Sequence, residues 1–294
     1  QFNNLTIKSM SLIKEIINKA QEGKYAFGTF DTSNLEVTQG IARAAEAKNM
    51  PAMIGITETA AEYAGFLPLV NLIKGIIAES KADLVLHLDH GKDPKFIKKC
   101  VDEGFKSIMI DASMYELEKN IEITKNIVDY AHKKGVIVQA ELGKIPRMKS
   151  STEVGTTLKK MEKTDPDEIE EFVEKTGVDT LAVIVGNIHG MYKPEGNPHL
   201  DLDLLKKLRE KVETPFVLHG GSGTPSEDIK KAIAECGIIN VNIDTEIRIA
   251  FMGALSDFCA SGQMVTDPRK ILSLARDAVQ EKVEEKIELF GCGK

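Results

Sequence analysis

The chain lacks several features that would assign it to a membrane, secreted or cysteine-ligated class. No apolar stretch approaches the roughly 18–20 residues that a transmembrane helix needs, and the N-terminus carries no basic segment or apolar core of a signal peptide. The four cysteines form no close pair and no C-x-x-C motif: Cys100, Cys236, Cys259 and Cys292. We therefore expect a cytoplasmic protein with free thiols and no zinc site built from cysteine.

The chain also has no excess of basic residues: its net charge is −7 and its isoelectric point is near 5.5. This balance argues against nucleic acid or an anionic membrane as a partner. It does not exclude an anionic substrate, since the local geometry of a site outweighs net charge. The length of 294 residues allows one large barrel or two ordinary domains.

Short apolar runs alternate with amphipathic segments along the whole chain. Eight runs read as buried strands, near residues 25–30, 52–56, 83–88, 106–110, 136–141, 180–185, 215–218 and 238–242. Eight strand–helix units predict an α/β protein, a (β/α)₈ TIM barrel. A doubly wound open sheet is the competing architecture. The barrel is preferred because the count reaches eight and polar residues cluster after the strands.

The whole chain, 1–294, is expected to form one barrel domain, with a helical extension over about 246–294. This extension would close the bottom of the barrel or make a subunit contact. The first few residues are left out of the fold prediction. Residues 143–165 form a long polar insertion after the fifth strand, and loops of this length in compact domains are usually functional or disordered.

Three histidines lie directly after three of the apolar runs, and each is followed by glycine. They are His90, His189 and His219. In a parallel barrel the C-terminal ends of the strands share one rim, so the three imidazoles would meet there. Three histidine ligands leave the fourth position of a catalytic Zn²⁺ open. By contrast, His87 is expected to be buried and hydrogen-bonded, and His132 and His199 to lie on the surface.

Asp89 stands directly beside His90. On a regular strand its side chain would point to the opposite face, but where the chain turns at a barrel rim both can face the opening. Such a carboxylate could exchange a proton with a substrate oxygen that the metal polarises. The alternative is that Asp89 only orients a ligating histidine.

Two turns suggest phosphate binding. Gly220-Gly221-Ser222-Gly223 follows the seventh strand, and Asn242-Ile243-Asp244-Thr245 follows the eighth; each opens a helix. Glycine-rich turns and helix N-termini present N–H groups to anions, and these two loops commonly bind phosphate in TIM barrels. The alternative is that Ser222, Asp244 and Thr245 only cap helices.

The sequence closely resembles the class II, zinc-dependent fructose-bisphosphate and tagatose-bisphosphate aldolases. The segments that carry the resemblance span nearly the whole chain: Phe30 to Glu36, His87 to Gly91, Ser107 to Ser113, Ala140 to Gly143, His189 to Lys193, Leu218 to Gly223, Asn242 to Arg248 and Asp267 to Lys270. The resemblance implies a homodimer or homotetramer that acts on a small sugar phosphate.

The resemblance also implies a role for each matching residue. His90, His189 and His219 would bind Zn²⁺, Glu141 would lie near an alternative metal position, and Asp89 would be the acid/base at the C4 hydroxyl. Dihydroxyacetone phosphate would be held by Gly190, Gly220, Gly221, Ser222, Asn242, Ile243, Asp244 and Thr245. A monovalent cation, Na⁺ or K⁺, would lie near the phosphate-binding glycines. Contacts to the second phosphate would come from Lys193, Arg248 and Arg269, some of them from a partner subunit.

Four positions depart from the family pattern. The usual loop glutamate is missing, and Glu153 is the nearest carboxylate that could move the C3 proton through a longer loop. Asp31 stands where the family usually has Asn, Gln139 where Glu is usual, and Asn187 where Thr or Ser is usual. These changes leave the preferred substrate open.

The predicted function is reversible cleavage of fructose 1,6-bisphosphate, a lyase reaction of glycolysis. Asp244 favours this substrate, because tagatose-bisphosphate members resemble Asn-Val-Ala-Thr in the strand-eight motif. The alternatives are another ketose phosphate, such as tagatose 1,6-bisphosphate or a deoxyketonate phosphate, or a sugar-phosphate-binding protein that has lost turnover.

Overall fold

The computed structural model describes residues 2–144, 162–189 and 199–291, with side chains from Leu12 onward. Eight parallel strands close a barrel in chain order, and β8 pairs with β1. The strands are β1 (Phe27–Asp31), β2 (Ala52–Ile56), β3 (Leu84–Gly91), β4 (Ser107–Ile110), β5 (Ile137–Leu142), β6 (Thr180–Val183), β7 (Phe216–Leu218) and β8 (Ile238–Ile243). The predicted TIM barrel is confirmed, and closure by β1 and β8 excludes the open sheet.

The helices of the described residues cover the barrel. They are α1 (Phe2–Gly23), α2 (Leu35–Lys48), α3 (Glu58–Ala64), α4 (Phe66–Glu79), α5 (Pro94–Asp102), α6 (Leu117–His132), α7 (Ile169–Thr176), α8 (Leu202–Lys211), α9 (Ser226–Cys236), α10 (Thr245–Ala260) and α11 (Pro268–Leu289). Several begin where the sequence offers a cap. The side chain of Asn34 accepts a hydrogen bond from the first turn of α2, and Asp93 caps α5 with proline in that helix's first turn.

The bottom of the barrel is closed by the N-terminal helix α1. Its buried residues Ile13, Ile16, Ile17 and Ala20 recur at helical spacing and pack against inward-facing residues of the strands, Phe27, Met53, Val85, Ile137 and Ile239. The prediction that the C-terminal extension closes the bottom, one of the two roles offered for it, is therefore wrong. This apolar stripe is visible in the sequence and was not used in the fold prediction.

The C-terminal part forms two helices in the described structure, and the second completes the outer ring. Helix α11 packs along α2 and α10. Gly40 of α2 allows the close approach, because a Cβ there would lie 2.7 Å from Val279 Cγ1 and 2.9 Å from the carbonyl oxygen of Arg276. Any side chain at this position would force the two helices apart.

None of the described helices is by itself long and apolar enough to cross a bilayer. Helices α3 and α4 reach that length and apolarity only together, across a bend of 99°. The apolar face of α4, formed by Leu69, Val70 and Ile73, is buried in the layer between helices and barrel.

Replacing Ile13 by alanine tests the closure by α1. Its side chain is fully buried, so Ile13→Ala is expected to lower the free energy of unfolding by about 2–5 kcal/mol. Denaturant unfolding measures this change. The exposed Asn18 on the same helix provides the control, and Asn18→Ala should change the free energy by less than about 0.5 kcal/mol. Equal effects of the two substitutions would contradict this packing.

Candidate metal centre and active site

A bulge in β3 turns two consecutive side chains towards the mouth of the barrel. The pairing of β3 with β4 is regular up to Leu88 and resumes at Gly91 with a shifted register. His90 adopts a left-handed backbone conformation with φ of 45°, which is rare for a residue with a side chain. The strand does not end at the rim as the sequence suggested. Instead, an extra residue in the strand lets Asp89 and His90 share the site.

The other two histidines reach the same point from loops. His219 follows β7 directly, whereas β6 ends at Val183, two residues earlier than predicted, so His189 lies on the loop after it. Asn187 braces this loop, because its side-chain oxygen accepts from the N–H of Val185 at 2.8 Å and its amide donates to the carbonyl oxygen of His219 at 3.0 Å.

The three imidazoles offer ligand atoms that all lie within 4.8 Å of one another. The Nε2 of His90 and the Nδ1 of His219 are 3.0 Å apart. Tetrahedral Zn²⁺ with Zn–N bonds of about 2.0–2.1 Å separates its ligand nitrogens by about 3.3 Å. The cluster therefore fits a metal ion after small side-chain shifts, and the predicted convergence of His90, His189 and His219 is observed.

Two polar side chains fix which nitrogens face the metal position. Asp111 accepts a hydrogen bond from Nδ1 of His90 at 3.1 Å, and Gln139 Oε1 lies 2.7 Å from Nε2 of His219. Because both partners are acceptors, these nitrogens carry the protons, and the opposite nitrogens are left with lone pairs for a metal. Ser113 donates to the other oxygen of Asp111 at 2.7 Å and holds that carboxylate in place.

The role of Asp111 was missed from the sequence. It follows β4 directly, as His219 follows β7, so its position at the rim could have been predicted. Its pairing with His90 could not, since that depends on the bulge in β3. The sequence marks Gln139 only as a departure from the family pattern. In the structure, its amide oxygen accepts a hydrogen bond from Nε2 of His219 and thereby selects the tautomer of that histidine.

The protonation of the histidines follows from burial and neighbouring charge. Burial lowers the pKa of His219 well below its usual value, and the charge of His90 adds to that effect. Burial also lowers the pKa of His87 to about 4. The pKa of His90 would fall on burial too, but the carboxylates of Asp89 and Asp111 raise it overall. At neutral pH, His219 is therefore ready to coordinate, whereas a metal at His90 competes with a proton.

Asp89 is buried between the imidazoles. Its carboxylate oxygens lie 3.9 Å from Nε2 of His90 and 4.0 Å from Nδ1 of His219, and Oδ1 accepts from Nδ2 of Asn242 at 2.9 Å. Burial would raise the pKa of Asp89, but the surrounding histidines outweigh it and lower the pKa to about 2. Asp89 is thus an ionised base next to the metal position.

A cavity of about 360 Å³ opens beside this base, at the C-terminal ends of β1, β2 and β8. Among its lining residues, Asp31 is hydrogen-bonded to Asp89, and its pKa is raised well above the usual range by burial and by the charges of Asp89 and Asp244. Arg248 pairs with Asp244 at 2.5 Å. The cavity is therefore lined by a carboxyl group with a raised pKa, an ion pair and several hydroxyl groups.

The glycine-rich turn after β7 lies next to the N-terminus of α10. Gly220 and Gly223 have φ of 65° and 75°, which favour glycine. Within the described part of the chain, the N–H groups of Gly220 and Ser222 donate to no protein acceptor. The N–H of Gly221 donates to the carbonyl oxygen of Asn242 at 3.1 Å, so this group is not available to a ligand.

The remaining predicted residues are spread around the site or fall outside it. Gly190, Lys193 and Glu153 lie outside the described residues. Glu141 is buried on β5 close enough to influence His90 electrostatically. Arg269 is 89% exposed, paired with Asp267, and does not line the cavity.

The structure shows the surroundings of two side chains of the strand-eight motif. Asn242 places its side chain on Asp89 rather than at the glycine-rich turn. The side chain of Ile243 is buried, so only its backbone could contact a ligand. Of the other histidines, His87 is buried, and His132 and His199 are exposed, all as predicted.

Comparison with known proteins agrees with this geometry. The family described as Fructose-bisphosphate aldolase class-II matches residues 11–294. The fructose-bisphosphate aldolase of Geobacillus stearothermophilus is 42% identical over 287 residues, covering 96% of this chain and 98% of the relative. That of Staphylococcus aureus is 40% identical, covering 95% of this chain and 96% of the relative.

A solved structure shares the same fold. The crystal structure of the YdjI aldolase from Escherichia coli K12 aligns with a TM-score of 0.83 and 34% identity, covering 95% of this chain and 96% of that one. The family match over nearly the full length, the closed barrel and the cluster of three histidines agree with one another. The chain belongs to the class II fructose-bisphosphate aldolase family, whose members are metal-dependent lyases.

Proposed function

We propose that this enzyme reversibly cleaves fructose 1,6-bisphosphate into dihydroxyacetone phosphate and glyceraldehyde 3-phosphate. The observation that carries the proposal is the placement of an ionised carboxylate, Asp89, against three convergent histidines at the mouth of the barrel. We propose Zn²⁺ as the ion held by His90, His189 and His219, since three neutral imidazoles with an open fourth position suit catalytic zinc. When bound, the ion supplies Lewis-acid polarisation of substrate oxygens.

Asp89 is proposed to accept the proton of the C4 hydroxyl during cleavage and to return it in the reverse direction. Its pKa of about 2 keeps it ionised at neutral pH. The hydrogen bond from Asn242 fixes one of its oxygens, which leaves the other to meet the substrate. General base catalysis of this kind typically contributes a factor of about 10²–10⁴ in rate.

The turn after β7 is proposed to bind the phosphate of dihydroxyacetone phosphate through the N–H groups of Gly220 and Ser222, together with Gly190 and the N-terminus of α10. A monovalent cation, Na⁺ or K⁺, is proposed beside these glycines. Arg248 lies in the cavity where the second phosphate would extend, and Lys193 and Arg269 are further proposed contacts to it.

The choice of fructose 1,6-bisphosphate rests on Asp244 and on the names of the curated relatives. Asp244 is held by Arg248 at the edge of the cavity, which supports a role for Asp244 in the choice of substrate. The assembly is proposed to be a homodimer or homotetramer. This proposal is supported by two exposed apolar residues on α10, Ile249 and Met252. The free thiols of Cys100 and Cys236 support a cytoplasmic location.

A coupled assay of the zinc-loaded enzyme tests the proposed substrate. Fructose 1,6-bisphosphate should be cleaved faster than tagatose 1,6-bisphosphate, and EDTA should abolish the activity, because the chelator removes the ion from the three histidines. A preference for the tagatose compound would show that Asp244 does not select the fructose epimer. Absence of cleavage of either substrate would favour a binding protein without turnover.

Separate variants test the assignment of the two proton transfers. Asp89→Asn should lower the cleavage rate by about 10²–10⁴ but retain exchange of the C3 proton of dihydroxyacetone phosphate with solvent. Glu153→Gln should abolish that exchange, because Glu153 is proposed to move this proton. Exchange is followed by NMR in D₂O.

Glu162 provides the matched control for Glu153. It stands at the end of the same insertion, where its carboxylate pairs with Lys144 at 2.8 Å and its side chain is 55% exposed. Glu162→Gln should leave proton exchange unchanged. If Glu153→Gln also leaves it unchanged, another group moves the C3 proton and the assignment fails.

A further inference from the structure

We propose that Glu246 and Lys286 are positioning residues for the glycine-rich turn after β7, so that the last helix of the chain controls the affinity for a phosphate. The inference rests on the proposed function in one respect only, the assignment of the triose phosphate to this turn. It adds a device that lies behind the turn and does not itself contact the substrate.

Glu246 holds the turn at two points. It lies in the first turn of α10, where its Oε1 accepts a hydrogen bond from the N–H of Gly223 at 2.8 Å. Its own N–H donates to Oγ of Ser222 at 3.3 Å. Glycine has wide conformational freedom and no side chain to pack, so these two bonds are the side-chain contacts that fix Ser222 and Gly223.

Lys286 in turn holds Glu246. It extends from the last turn of α11, and its Nζ pairs with Oε2 of Glu246. The two side chains are only 8% and 12% exposed. A buried ion pair of this kind contributes little net stability but fixes geometry, and removing one partner leaves an uncompensated charge. Lys286 therefore fixes the carboxylate of Glu246 against Gly223, although Lys286 lies 63 positions after Gly223 in the chain.

The charge of Lys286 matters as much as the geometry. A carboxylate directly behind an anion-binding turn repels a phosphate, because the two negative charges interact through poorly screened protein. The ammonium group neutralises Glu246, so the N–H groups of the turn face the phosphate with no net negative charge behind them. Loss of Lys286 would both loosen the turn and restore the repulsion.

Calorimetric titration of the metal-loaded enzyme with dihydroxyacetone phosphate tests the proposal. Lys286→Met should weaken binding by about tenfold, because the turn loosens and the uncompensated charge of Glu246 repels the phosphate, and it should raise KM by more than it lowers kcat. The double variant E246Q/K286M should recover most of the affinity. The glutamine oxygen still accepts from the N–H of Gly223, and no unpaired charge remains buried.

Lys48→Met is the matched control. Lys48 pairs with Glu284 and Glu288 of the same helix α11, at 3.3 and 2.6 Å, and does not contact the turn. This variant should bind dihydroxyacetone phosphate as the wild type does. The double variant E246A/K286M provides a second route if Lys286→Met does not fold. It leaves no charge of this pair behind the turn and removes the acceptor of Gly223, so it should bind dihydroxyacetone phosphate more weakly than E246Q/K286M.

The outcomes separate this inference from the proposed function. Wild-type affinity in Lys286→Met, or equal affinity of E246A/K286M and E246Q/K286M, would overturn the inference while leaving the proposed function intact. Equal weakening in Lys48→Met, without recovery in the double variant, would also overturn it, since the effect would then come from general loosening of α11. Failure of the wild type to bind dihydroxyacetone phosphate would overturn both.

Discussion

The site depends on one local distortion, the bulge in β3 between Leu88 and Gly91. A regular strand sends successive side chains to opposite faces, so it could place either Asp89 or His90 at the mouth of the barrel but not both. The left-handed conformation of His90 is the means by which this distortion is accommodated. Strained conformations of this kind persist only where the surroundings hold them. Here the hydrogen bond that His90 donates to Asp111 and the contact of His90 with His219 do so.

Electrostatics then divides the roles among residues that lie close together. The imidazoles lower the pKa of Asp89 to about 2, so that it is ionised and can act as a base. In contrast, burial and the charges of Asp89 and Asp244 raise the pKa of Asp31 well above its usual value. A carboxyl group with a raised pKa holds its proton more readily, so Asp31 can serve as a hydrogen-bond donor to Asp89.

Much of the fold and the ligand set could be predicted from the sequence, because both depend on short-range patterns. Apolar runs mark the strands, and parallel strands in a closed barrel bring their C-terminal ends together, so the convergence of His90, His189 and His219 at one rim could be predicted. Short-range patterns could not predict three other features: the bulge in β3, the acceptors Asp111 and Gln139, and the pair of Glu246 with Lys286. They are contacts between elements distant in sequence, and their geometry follows from packing. The closure by α1 is different, since its apolar stripe was present and was not used.

The most direct test of the central claim, that three imidazoles converge on one metal ion, is X-ray absorption at the zinc K edge of the zinc-loaded enzyme. The account predicts three imidazole nitrogens at about 2.0–2.1 Å, a further light ligand in the open position, and no sulphur. Loss of one imidazole from the spectrum of His219→Ala would confirm that this residue is a ligand. A spectrum with fewer than three imidazoles in the wild type, or with sulphur ligands, would contradict the account.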